Sequence, residues 1–70
     1  MDKILGYPEL NASEIALINV VKQAGADIGR VVEGMRLNPR LDQRWVAIGT
    51  THLQEGLMAL TRAVAKPEFF

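Results

Sequence analysis

The sequence predicts an all-α fold, a hairpin of two long antiparallel helices behind a short N-terminal arm. Three observations predict it: apolar residues recur at helical spacing along two long stretches, one cap-forming site opens the first stretch, and a single Asn-Pro step separates the two. Helices of about 26 residues run about 39 Å at 1.5 Å per residue, and a link that short leaves them no arrangement except folding back on each other.

The arm covers residues 1–11. Asn11 and Glu14 have capping-box spacing, with the Asn side chain serving the amide at the third helical position and the Glu side chain reaching back. The first helix is therefore expected over 12–37. Asn38 followed by Pro39 has the order of a cap and first helical residue, so the second helix is expected over 38–66, with Asp42 as the alternative cap, and Pro67 opens a tail over 67–70.

In the first helix Ile15, Ile18, Val21, Ile28, Val32 and Met35 make one stripe, and Leu17, Val20, Ala24 and Val31 make a second beside it. One partner helix cannot cover both. In the second helix Val46, Gly49, Leu53, Gly56, Leu60 and Ala63 alternate spacings of three and four, which makes a smooth strip suited to close helix approach. Each interior glycine costs on the order of 1 kcal/mol of helix stability relative to alanine, so something offsets Gly25, Gly29, Gly34, Gly49 and Gly56. Either helices cross tightly there, or the missing Cβ admits a ligand. Gly25, one turn from Lys22, is the strongest candidate for the second.

The chain of 70 residues makes one domain, and so small a domain buries only about 60% of its unfolded surface. With no cysteine and one histidine, neither a disulfide nor a structural zinc site is available to brace it, which leaves oligomerisation. Hydrophobic residues make up 49% of the chain and charged ones 23%, a surplus of apolar surface that points the same way. Eight basic and eight acidic residues cancel, so no extended positive field exists to hold DNA. The N-terminus lacks the apolar run of a signal peptide, and the most hydrophobic stretch, 46–65, is interrupted by His52, Gln54, Glu55 and Arg62, so a cytoplasmic protein without a membrane anchor is expected.

No constellation for catalysis stands out. One histidine without a cysteine, and scattered serine and threonine, form no triad; His52 and Glu55 lie one turn apart, the spacing of an ordinary solvated helix pair. Ile48-Gly49-Thr50-Thr51 does not follow a strand and is no phosphate loop. Trp45, with Arg44 beside it, is expected to be a core or interface anchor rather than a base-stacking platform. Tyr7 in the arm and Lys22 in the first helix are the minimal pair for a nucleotide, a ring for the base and an ammonium for the phosphate. Arg62 sits where it also complements the dipole of the second helix.

These residues, in this order, resemble a family. Gly6-Tyr7, Ser13-Glu14, Leu17-Ile18-Asn19, Lys22, Gly25, Asp42-Gln43-Arg44-Trp45, Ile48-Gly49, Leu53-Gln54, Gly56, Met58-Ala59-Leu60, Arg62-Ala63-Val64-Ala65 and Pro67 are similar to the anti-CBASS sponges of bacteriophages across nearly the whole chain. The resemblance implies a non-enzymatic protein of the host bacterial cytoplasm, a compact homohexamer of helical hairpins. It also implies sequestration of the cyclic oligonucleotide messengers of CBASS defence without cleavage, and no cofactor. Cyclic dinucleotides such as cyclic GMP-AMP would bind between paired subunits through Tyr7 and Lys22. Cyclic tri-adenylate would bind in a separate pocket through Arg62, lined by Gly25 and Ala24. Pro8 departs from the family pattern, in which a polar or basic residue follows the tyrosine, and stiffens the arm. The alternative is a structural or adaptor hairpin that binds another protein through the same apolar faces.

Overall fold

A computed structural model describes residues 9–67. They form two α-helices, α1 (Ala12–Arg36) and α2 (Gln43–Ala65), packed against each other as a hairpin.

Local chemistry sets both ends of α1. The Asn11 side chain accepts from the Glu14 amide at 2.8 Å and from the Ser13 hydroxyl at 2.9 Å, while Glu14 Oε1 accepts from the Asn11 amide at 3.1 Å. The box expected from the sequence is therefore formed. Beyond Arg36 the amides of Leu37 and Asn38 donate to the carbonyls of Glu33 and Met35, which ends the helix within a residue of the expected boundary.

The second helix begins five residues later than the Asn38-Pro39 expectation. Asn38 caps a turn instead of a helix: its side chain accepts from the Arg40 amide at 3.0 Å and its carbonyl from the Leu41 amide at 3.2 Å. The alternative cap, Asp42, is the one used, accepting from the amides of Arg44 and Trp45. Gln43 then clasps the turn, its Nε2 donating to the carbonyls of Met35 at 3.0 Å and Asn38 at 2.9 Å. That one side chain ties the end of α1 to the start of α2.

At the open end, Lys66 takes the left-handed conformation (φ 49°), and its amide donates to the Arg62 carbonyl at 2.7 Å. Its Nζ lies 3.1 Å from Glu14 Oε2. Glu14 thus serves the cap of α1 and joins the two helix ends.

The shared seam is narrow. Ile18, Val21, Gly25, Ile28 and Val32 of α1 are half-buried, as are Val46, Thr50, Leu57, Thr61 and Val64 of α2. A Cβ placed on Gly25 would lie 3.3 Å from Leu57 Cδ1, so this glycine is where the helices approach closely. Thr50 and Thr61 enter the seam because their hydroxyls donate to the carbonyls of Val46 (2.7 Å) and Leu57 (3.0 Å) in their own helix, leaving the methyl groups to pack. Among the described residues only Ala65 is buried, at 8% exposure.

The Glu14 carboxyl is held below its ordinary value of 4.5, chiefly by the Asn11 amide and then by Lys66, against a smaller opposing effect of burial. A carboxyl whose folded pKa is depressed stabilises the fold above the unfolded value and loses that contribution as pH falls through the folded one. Glu14→Gln is therefore expected to lower the melting temperature at pH 7 and to flatten its decline below pH 4.5. Parallel melting curves for the two proteins across the acid range would overturn this.

Candidate functional site

The hairpin has two flanks beside its seam, and they differ in chemistry. Residues advance about 100° each around a helix, so Lys22 and Ala24, two apart, lie on opposite flanks of α1. The flank holding Ala24 also carries Leu17, Val20 and Val31, all exposed and Val20 by 64%. On α2 the same side of the hairpin carries Trp45, Gly49, Leu53, Gly56, Leu60 and Ala63. The second stripe of α1 and the strip of α2 thus share one exposed, uncharged apolar face.

The strip of Gly49, Gly56 and Ala63 does not face α1, and a Cβ added to either glycine would meet nothing within 4 Å. The seam instead runs through Val46, Thr50, Leu57, Thr61 and Val64, rotated from the strip by one residue.

Lys22 stands on the other flank, exposed, with no hydrogen bond or ion pair among the described residues. Arg62, five residues beyond Leu57, points away from α1 and is likewise exposed without a partner side chain among the described residues. Arg62 does occupy the last turn of α2, where its charge complements the dipole. Gly25 lies in the seam with its missing side chain's place taken by Leu57, so the hairpin's own packing uses it. Tyr7 falls outside the described residues. Lys22 and Arg62 are exposed cations without a partner side chain among the described residues, one on each helix, while Ala24 lies on the opposite flank of α1 from Lys22 and Gly25 lies in the seam.

A cavity lies elsewhere among the described residues, at the turn end between the helices. It encloses about 320 Å³ and is lined by Val32, Met35, Leu41, Trp45, Val46 and Leu53 among others. Trp45 is 61% exposed there, and the Arg44 guanidinium sits 5.9 Å from the indole centroid. Asp42, the one charged residue of the lining, already accepts two backbone amides. The groove is suited to apolar groups. Of its walls, Met35 and Trp45 were legible as stripe and anchor residues; Leu41 was not, because it sits in the turn that the sequence assigned to α2.

The His52 and Glu55 side chains approach at 3.4 Å, both exposed, as a solvated helix pair. No group of three or more His, Cys, Asp and Glu among the described residues could hold a metal ion, and no described helix is long and apolar enough to cross a membrane.

Fold and surface together define a helical-hairpin module whose largest apolar face and free cations are turned outward. The chain belongs to the Acb2/Tad1 hairpin-domain family, whose model matches residues 2–65. It is 32% identical to Anti-CBASS protein 2 of Pseudomonas phage JBD67, in an alignment of 100 residues that covers 94% of this chain and 93% of that protein. Since the alignment is longer than the 70 residues of the chain, that relative carries segments with no counterpart here.

Because Lys22 and Arg62 have no partner side chain among the described residues, Lys22→Ala and Arg62→Ala are expected to change hairpin stability by no more than about 0.5 kcal/mol. Thermal denaturation followed by circular dichroism checks this, and a loss of several degrees for either variant would give that residue a structural role.

Proposed function

We propose that this chain is a phage anti-defence protein of the host bacterial cytoplasm. It binds cyclic di- and trinucleotide signals without cleaving them, and so prevents activation of CBASS effectors. The observation that carries the reading is its likeness, over 94% of its length, to a phage protein named for anti-CBASS activity. The two free cations agree with it, because a phosphate ligand requires charges that the protein's own carboxylates have not already taken.

Cyclic dinucleotides such as cyclic GMP-AMP bind between paired subunits, with Tyr7 stacking on a base and Lys22 meeting a phosphate. Cyclic tri-adenylate binds where Arg62 side chains of several subunits gather. Ala24 and Gly25 belong to the same candidate pocket, Ala24 by its exposed position and Gly25 only through its backbone. A single subunit supplies one or two cations for a ligand with two or three phosphates; a symmetric assembly multiplies each contact and holds it ready before the ligand arrives. Self-association into a homohexamer is part of this reading, and the uncharged apolar face supports it.

The groove beside Trp45 favours a second reading, an adaptor hairpin that binds another protein and no nucleotide. The two separate in one titration. Calorimetry with cyclic GMP-AMP and cyclic tri-adenylate, followed by protease digestion and chromatography, is expected to show binding and return intact ligand. Hydrolysed product would refute sequestration, and absence of heat with both ligands would leave the adaptor. Tyr7→Ala is expected to weaken dinucleotide binding by about 1 to 3 kcal/mol per base stacked while sparing the trinucleotide, with Arg62→Ala doing the reverse. Equal losses with both ligands would exclude separate pockets.

Gly56 offers a check on assembly alone. A Cβ added at Gly56 meets nothing within 4 Å in one hairpin, so in Gly56→Leu helix content is expected to be retained while the mass measured by light scattering drops. Unchanged mass would mean that this face is not the contact.

A further inference from the structure

We infer that the groove at the turn end is a docking site for an acidic peptide segment of another protein, one that carries a large apolar side chain between two carboxylates. The inference adds a partner to the function proposed above and is independent of any nucleotide, since none of Lys22, Ala24, Gly25 and Arg62 lines the groove.

The lining dictates the middle of the occupant. Val32, Met35, Leu41, Val46 and Leu53 make it apolar, and two of its polar side chains are already engaged: Asp42 accepts the amides of Arg44 and Trp45, and the Thr50 hydroxyl donates to the Val46 carbonyl. A phosphate entering it would give up water and find no cation in the lining. At about 320 Å³ the space stands at the lower end of the range of ligand sites, about 300 to 1,000 Å³, so it admits an amino-acid side chain rather than a cyclic oligonucleotide.

Arginine dictates the flanks of the occupant. Four of the chain's five arginines fall between residues 30 and 44, where there is no lysine. Two of them have carboxylates of their own: Arg30 pairs with Asp27, and Arg36 Nη1 lies 3.7 Å from Glu33 Oε2. Arg40 and Arg44 are exposed and have no carboxylate partner among the described residues. They immediately precede the lining residues Leu41 and Trp45, and the Arg44 guanidinium sits 5.9 Å from the exposed indole. A guanidinium grips a carboxylate with two parallel N–H donors, so the pair calls for two acidic groups, where a single-headed amphiphile supplies one. Exposed ion pairs contribute little affinity singly; the buried apolar side chain supplies that, while the arginines select the sign of the partner and speed the encounter.

The seat is built before any occupant arrives. Gln43 clasps the carbonyls of Met35 and Asn38, and the Asn38 side chain holds the Arg40 amide, which fixes the turn that carries Arg40 and Leu41. A rigid seat lowers the ordering cost of binding.

Trp45 is the one tryptophan of the chain, so its emission reports the groove directly. A short blocked peptide of glutamates around one phenylalanine is expected to shift that emission to the blue. The same peptide with lysines for the glutamates, or with serine for the phenylalanine, is expected to leave it unchanged. Arg44→Glu is expected to weaken binding of the acidic peptide at least tenfold and to make the basic peptide the better ligand. A Cβ added at Gly49, in the lining, meets nothing within 4 Å, so Gly49→Leu is expected to keep its helix content by circular dichroism and to abolish the shift. No shift with the acidic peptide, or equal shifts with the acidic and basic peptides, would overturn the inference; heat with cyclic GMP-AMP in the same preparation would leave the function proposed above standing without it. Displacement of the peptide by cyclic GMP-AMP would assign the groove to the nucleotide and overturn the inference as well. So would an emission that is blue in the oligomer and turns red in Gly56→Leu, because a second copy would then occupy the seat.

Discussion

Two helices packed side by side share one seam, and that limit governs everything else about this protein. Along the seam close contact is achieved at Gly25 and Leu57, yet Ala65 alone among the described residues is removed from solvent. Removing apolar surface from water is the main force that drives folding, so a hairpin that achieves so little of it draws an unusual share of its order from its ends. The Asn11 and Glu14 box, the Asp42 cap, the Gln43 clasp and the Lys66 contact to Glu14 fix where each helix starts, stops and meets the other. Under the proposed self-association, covering the apolar flank adds the remainder of the stabilisation.

The same limit shapes what the surface can bind. A pocket needs walls on several sides, and the described hairpin has its concave place in the groove at its turn, which is apolar. Lys22 and Arg62 are exposed, and in one hairpin a phosphate would meet one ammonium or one guanidinium in high dielectric and gain little. Under the proposed assembly neighbouring subunits supply the missing walls and repeat the cation, so that affinity follows from symmetry. A neutral chain suits this arrangement: with charges balanced over the whole molecule, attraction is confined to the points where unpaired cations gather.

The helices, their order and the first cap were legible because each rests on local rules. The start of α2 was misjudged because Asn38 satisfies two sets of local rules, those of a helix cap and those of an Asx turn. The decision lies with Asp42, which takes two amides, and with Gln43, whose partners at Met35 and Asn38 cannot be read from adjacent residues. The seam of α2 was not legible, because hydropathy favours a strip through Leu53 and Leu60 over one through Thr50 and Thr61. A threonine that returns its hydroxyl to its own helix presents a methyl group, and a hydropathy pattern does not register that. Of the candidate site, the exposure of Lys22 and Arg62 followed from their place on the helices. The role of Gly25 in the seam did not, since spacing alone gives tight packing and ligand access the same signature. Tyr7 lies outside the described residues, and its role rests on the resemblance.

The helical glycines divide into two kinds. Gly25 is explained within one chain, because a Cβ there would crowd Leu57 Cδ1 at 3.3 Å. Gly29, Gly34, Gly49 and Gly56 are not, since a methyl group at any of them would meet nothing within 4 Å while adding about 1 kcal/mol of helix propensity. Gly49 and Gly56 share a flank with the exposed side chains of Trp45, Leu53 and Leu60, which water alone would cover at further cost. A flank that combines absent side chains with large apolar ones has the relief of a surface made to be entered, with knobs beside hollows. Under the proposed self-association a copy of this chain covers that flank, and the cost of the glycines on it is then offset by contacts in the partner.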